Sequence, residues 1–222
     1  RTSGNVLCES AGGGLVGKLN ASAINSSCSS VNVTGTYSSN YGGGLVGYAE
    51  TSSSIANCYA RGDVSFNDYV GGMLGMLVEC TIEDSYSTGG VTGSGVYQGG
   101  LVGGVVGSYS AIKSYWDTQT SGQDSCLVGT SKTTAEMKYF YMYHGNDWDF
   151  VAERRNGTDN CWDFDFDGVV NDGYPYLAWE DGATNSLVPP DGSGTSAAPY
   201  LIDSLFDLWW LSSNDNVRAK RF

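Results

Sequence analysis

Gly42-Gly43-Gly44-Leu45-Val46-Gly47 decides the fold, because it recurs. Its counterparts are Gly12-Gly13-Gly14-Leu15-Val16-Gly17, Gly71-Gly72-Met73-Leu74-Gly75 and Gly99-Gly100-Leu101-Val102-Gly103. From Leu15 through Leu45 and Met73 to Leu101 the spacings are 30, 28 and 28 residues. A second half-motif follows each core, beginning at Ile24, Ile55, Ile82 and Ile112. Four residues further on stand Cys28, Tyr59, Tyr86 and Trp116, and nine after the first three Ile stand Val33, Val64 and Val91. Val6 precedes Leu15 by nine residues, as Val64 precedes Met73, so the first unit is entered part-way through.

Short β-prone runs at this period describe the coils of a solenoid. One coil buries too few apolar residues to fold alone. Stacked at about 4.8 Å, coils pair their backbones and join their apolar residues into a ladder. The expected fold is all-β: a right-handed parallel β-solenoid (β-helix) over residues 1–125, with a β-rich capping module and short helices over 126–180. The motif glycines read as the residues that turn the coil with φ above zero. Thr133-Thr134-Ala135-Glu136 reads as a capping box, and Ser204 as the cap of a second short helix reaching Leu211.

Composition agrees. Among 222 residues there are 32 Gly and 4 Pro, with 41% apolar and 16% charged residues. Helix formers are scarce, yet a core is affordable. A net charge of −13 opposes binding to nucleic acid or anionic lipid. No apolar run approaches the ~20 residues of a membrane span. An exported chain of this kind would have lost its leader, or would carry it upstream of Arg1.

Six cysteines stand at positions 8, 28, 58, 80, 126 and 161 without a CxxC pair. Disulfides are the favoured reading, and with them an oxidising compartment. Cys28 and Cys58 lie one coil apart, and Cys126 could join Cys161, which leaves Cys8 and Cys80. Spacing does not fix the pairing. Asn20, Asn25, Asn32 and Asn156 open N-x-S/T sequons and are candidate glycosylation sites.

Chemistry-bearing patterns are few. Asp163, Asp165 and Asp167 have the D-x-D-x-D-G spacing of a calcium loop, and alternation would put their carboxylates on one side. The twelfth position is Tyr174 rather than Glu, so the bidentate ligand is missing. Asp63, Asp68, Glu83 and Asp84, with Lys18, Arg61 and Lys113, form no recurring catalytic pair, and the sole histidine, His144, lies in an aromatic stretch. No catalytic residue and no cofactor other than calcium is expected. Tyr59, Tyr86 and Trp116, at one repeat offset, suggest a stacked aromatic ladder.

The cores, together with Ile55-Ala56-Asn57-Cys58-Tyr59-Ala60-Arg61-Gly62-Asp63-Val64, resemble the GLUG repeats of prokaryotic cell-surface proteins. Ser114-Tyr115-Trp116-Asp117, Lys132-Thr133-Thr134-Ala135-Glu136-Met137, Trp148-Asp149-Phe150 and Asn171-Asp172-Gly173-Tyr174-Pro175-Tyr176-Leu177 resemble phrases that close such domains. Residues 181–198, around Pro189-Pro190, read as a linker. Residues 199–222, with Asp207-Leu208-Trp209-Trp210, resemble the opening of another domain or a tail that completes a neighbour. The resemblance implies an extracellular or cell-surface structural protein that stacks into a fibre, sheath or surface layer with copies of itself or neighbouring repeats. The alternative is an adhesin stalk or binding module that recognises glycans or other cells.

Overall fold

The computed structural model describes residues 2–36, 40–151, 156–180, 195–197, 199–202, 208 and 211. Most of the expected linker and tail, including Ser204 and its cap, lies outside the described residues.

Three parallel sheets wind into one column of about four turns. The first holds Ala11–Gly13, Tyr41–Gly43, Tyr69–Gly71 and Tyr97–Gly99, in that order along the axis. The second holds Val16–Asn20, Val46–Glu50, Leu74–Val78 and Val102–Val106, with Val16, Val46, Leu74 and Val102 in register. The residues just before them are therefore stacked as the repeat requires: Leu15 N–H donates to Leu45 O at 3.0 Å, and Leu45 to Met73 O and Met73 to Leu101 O at 2.9 Å. The third and largest sheet aligns Val6, Val33, Val64 and Val91, and Ile24, Ile55 and Ile82.

The interior follows from that register. Leu45, Met73 and Leu101 are wholly buried and share one cluster with Ala49, Leu77, Ile55, Ile82 and Cys58. Val33, Val64 and Val91 form a second cluster with Phe66 and Val70. A buried Leu or Ile truncated to Ala in such a column costs about 2–5 kcal/mol.

The motif glycines do something other than turn the chain. None of Gly13, Gly43, Gly71 or Gly99 has positive φ. Instead the backbone leaves no room for a side chain: a Cβ on Gly43 would overlap Val46 O of its own coil and stand 2.6 Å from Met73 O of the next. The same clash, against Val16 O, Leu74 O and Val102 O, awaits a Cβ on Gly13, Gly71 and Gly99. The turning is done mostly by other residues. Ser26, Asn57, Asp84 and Lys113 occupy one corner of successive coils with φ between 43° and 51°. Ala21, Thr51, Glu79 and Gly107 occupy a second with φ between 46° and 74°.

One register differs from the sequence reading. Ala111, not Ile112, lies over Ile82, and Tyr115, not Trp116, lies over Tyr86. A one-residue slip sends every side chain to the opposite face. Ile112 is consequently 48% exposed, whereas Trp116 turns into the main cluster over Gly100.

After the fourth coil, Thr130–Lys132 adds a parallel strand to Tyr115–Asp117. Thr133 and Glu136 form the expected capping box at the start of the helix Thr134–Met137. A second short helix, Phe140–His144, and the antiparallel pair Trp162–Phe164 and Pro175–Leu177 then fold back along the flank of the third sheet.

Replacing Gly43 by Ala forces apart two coils and is expected to cost about 3 kcal/mol or more by urea denaturation. Gly122→Ala, where a Cβ meets no atom but φ is 69°, is expected to cost only about 1 kcal/mol.

Candidate functional site

Each end of the column presents the outer strands of its sheets. At the first coil, Ala11–Gly13 and Val16–Asn20 are the outer strands of their sheets, with no described strand beyond them. Leu15 is 38% and Leu7 72% exposed there. Unpaired strand edges with exposed apolar residues are templates for further pairing.

At the fourth coil Tyr97–Gly99 and Val102–Val106 are likewise the outer strands of their sheets, but the edge is capped in part. Cys126 Sγ accepts from Val102 N–H and donates to Val102 O, both at 3.2 Å, so a thiol takes the two backbone groups that another coil would use. Gln123 Nε2 donates to Val91 O at 3.1 Å, and Trp116 Nε1 donates to Gln123 O at 3.1 Å. Val128 and the Trp116 ring close the apolar column itself.

The cysteine expectations are corrected here. All six cysteines are free thiols. Cys28 pairs in register with Tyr59, and Cys58 with Ser27, so the alternation of the strand sends their sulfurs to different clusters. Cys126 packs on the main cluster and Cys161 on the flank; Cys8 and Cys80 are likewise divided between clusters. The cysteine argument for an oxidising compartment falls with the bridges. Burial pushes the Cys28 thiol up to about 11 and Cys58 to about 12, which suppresses the reactive thiolate.

The aspartate loop closes on itself. Asp165 is buried and accepts from the N–H groups of Val169 (3.0 Å), Val170 (3.2 Å), Asn171 (2.6 Å) and Gly173 (2.9 Å). Asp167 accepts from Val169 N–H and Asp163 from Phe164 N–H. Among the described residues no three His, Cys, Asp or Glu side chains converge as metal ligands. Burial raises the Asp165 carboxyl, but the N–H groups of Gly173, Asn171 and Val170 outweigh it and hold the group below the usual range.

Asn20, Asn25 and Asn32 are exposed. Asn32 Oδ1 accepts from Asp63 N–H, and Asp63 Oδ1 from Gly90 N–H, a side-chain ladder between coils. Asn156 Nδ2, the atom a glycan would need, donates to His144 O and Trp148 O. Lys18, Arg61 and Lys113 pair with Glu50, Asp172 and Asp147, and His144 stacks on Phe140. Asp68 and Glu83 are exposed. These groups are brought to no common cleft.

The aromatic ladder exists, but on a buried flank and with Tyr115 in place of Trp116. Tyr59 and Tyr86 stack at 5.1 Å and 9°. Sequence reasoning missed what covers them. Trp179 Nε1 donates to Ser26 O, Trp162 Nε1 to Asn57 Oδ1 and Trp148 Nε1 to Lys113 O, so three indoles bond to three residues of one corner column. The signal was present as three tryptophans spaced 14 and 17 residues apart beyond the repeats. Asp84, the remaining member of that corner, has a buried Oδ1 without a partner. Burial raises its carboxyl to about 6, Lys113 opposes, and Glu83, Asp147 and Asp149 add to the rise.

The geometry defines the class: a parallel β-solenoid that carries a GLUG motif. Residues 38–65 match the family profile described as the GLUG motif. A Gly-rich protein of Evansella cellulosilytica, described by name as a candidate membrane protein, is 33% identical over 132 residues. That region is 56% of this chain but 14% of the relative, so the chain spans only a small part of the relative's length. No solved structure matches the chain. Among the described residues no helix is long and apolar enough to cross a membrane.

Native iodoacetamide labelling read by intact mass is expected to leave Cys28 and Cys58 unmodified, and labelling after denaturation without reductant to modify all six cysteines. Asp84 gives a pH signature. Its folded value exceeds the unfolded ~3.9, so its contribution to stability is complete below about pH 4 and is lost as pH rises through about 6. Chemical denaturation at a series of pH values should show that loss, and Asp84→Asn should flatten it.

Proposed function

We propose that this chain is a structural module of a surface or extracellular protein: a stiff rod segment that joins further β structure through the edge of its first coil. The observation that carries this reading is the column itself: four coils in parallel register whose end strands, Ala11–Gly13 and Val16–Asn20 on one side and Tyr97–Gly99 and Val102–Val106 on the other, carry backbone groups that a further coil could pair, with Val102 taken by Cys126. When the joining partner is another solenoid, stacking builds a fibre, sheath or layer. A surface location is supported by the GLUG motif and by the relative described as a candidate membrane protein. The role is mechanical rather than catalytic, and the pairing of Lys18, Arg61 and Lys113 with structural carboxylates supports it.

The cap at Val102 favours a second reading beside the fibre. Head-to-tail growth needs two free edges, whereas a stalk needs one. The adhesin-stalk reading therefore draws on the same geometry.

Sedimentation and negative-stain microscopy of the purified chain separate these readings. Filaments support the fibre and isolated short rods the stalk, each copy contributing about 20 Å of stacked coils; concentration-dependent association is expected, suppressed by Leu15→Lys at the first-coil edge. A monomer at every concentration, or association indifferent to Leu15→Lys, would overturn edge stacking. Turnover of a polysaccharide would overturn the non-catalytic reading.

A further inference from the structure

A cavity of about 550 Å³ opens on the flank module, away from both ends of the column, between the segment Lys138–Tyr141 and the loops Phe164–Gly168 and Asp172–Gly173. We propose that it binds a neutral sugar residue of a glycan, an activity separate from the stacking role.

Its walls are aromatic. Tyr139 is 57% and Tyr141 40% exposed, with ring centroids 5.7 Å apart and planes at 51°. Phe140 and Phe164 line the depth, packed edge to face at 5.6 Å. Phenol rings left this open at a cavity mouth offer apolar faces to the C–H side of a pyranose and a hydroxyl to its polar side.

The rim is polar and already positioned. Asp167 uses one carboxylate oxygen on Val169 N–H. Asp172 Oδ2 receives Lys138 Nζ at 3.1 Å and Arg61 at 3.7 Å. Asp172 keeps Oδ1 as an acceptor for a sugar hydroxyl, Asp167 is held against Asp165, and groups held in place before binding cost less to order.

Charge selects among ligands. Three carboxylates, Asp165, Asp167 and Asp172, line the cavity beside one ammonium, Lys138, on a chain of net charge −13. Uronates and sulfated sugars are therefore repelled. An organic cation would suit aromatic rings beside carboxylates, but Asp172 is already neutralised by the protein's own Lys138 and Arg61. Rings and acceptor oxygens remain, which suit a neutral polyhydroxyl ring.

Native affinity electrophoresis tests this with the full chain, in gels containing soluble β-glucan, galactomannan or polygalacturonate. Retardation by at least one neutral polymer, and none by polygalacturonate, is expected. Tyr139→Ala and Tyr141→Ala should each weaken it about tenfold, with melting curves unchanged because both rings are exposed. Tyr97→Ala, an exposed ring elsewhere on the column, should leave it intact. No retardation by either neutral polymer, equal retardation by polygalacturonate, indifference to both variants, or displacement by choline would overturn the proposal. None of these outcomes bears on association through Leu15, so the two readings fail separately.

Discussion

The close approach of backbone to backbone at the motif glycines governs the rest of the molecule. A coil can sit on its neighbour at strand spacing only where nothing protrudes between them, and at Gly13, Gly43 and Gly71 even one carbon is too much. With that contact made, register is no longer free. Val16, Val46, Leu74 and Val102 must align, and the residues before them must stack into a shared interior. Hydrophobic burial stabilises the column, but the glycines decide which residues are buried.

Much of this was legible. The spacing of Leu15, Leu45, Met73 and Leu101 is the height of a coil counted along the chain, and the Val6-to-Val91 series was readable by the same count. What failed was local. Aligning Ile112 with Ile82 is natural by residue type, yet the last coil carries one more residue before Ala111, and the ladder closes with Tyr115. A slip of one position is invisible to apolar composition, because Trp116 and Tyr115 are both good core residues; it is decided by which face each can fill. Cys28 and Cys58 misled for the same reason, since their equivalence rested on a spacing one residue out of register.

The candidate site was less legible, because it depends on contacts between distant segments. Nothing near Cys126 announces that its sulfur will meet Val102, 24 residues away. Nothing in the aspartate run shows that Asp165 turns inward to four amides while Asp172 reaches Lys138 and Arg61. The D-x-D-x-D-G spacing is shared by loops that grip a cation and loops that grip their own backbone.

The indole contacts along the corner column have a mechanical consequence. Hydrogen bonds between coils run along the axis, so tension applied lengthwise would part them turn by turn, like a loosened spring. The flank module spans those turns as a splint: Trp179 grips Ser26, Trp162 grips Asn57, Tyr86 meets Pro175 and Trp148 grips Lys113. A pull on one turn is thereby shared with the other three, and the rod yields as a unit or holds as one.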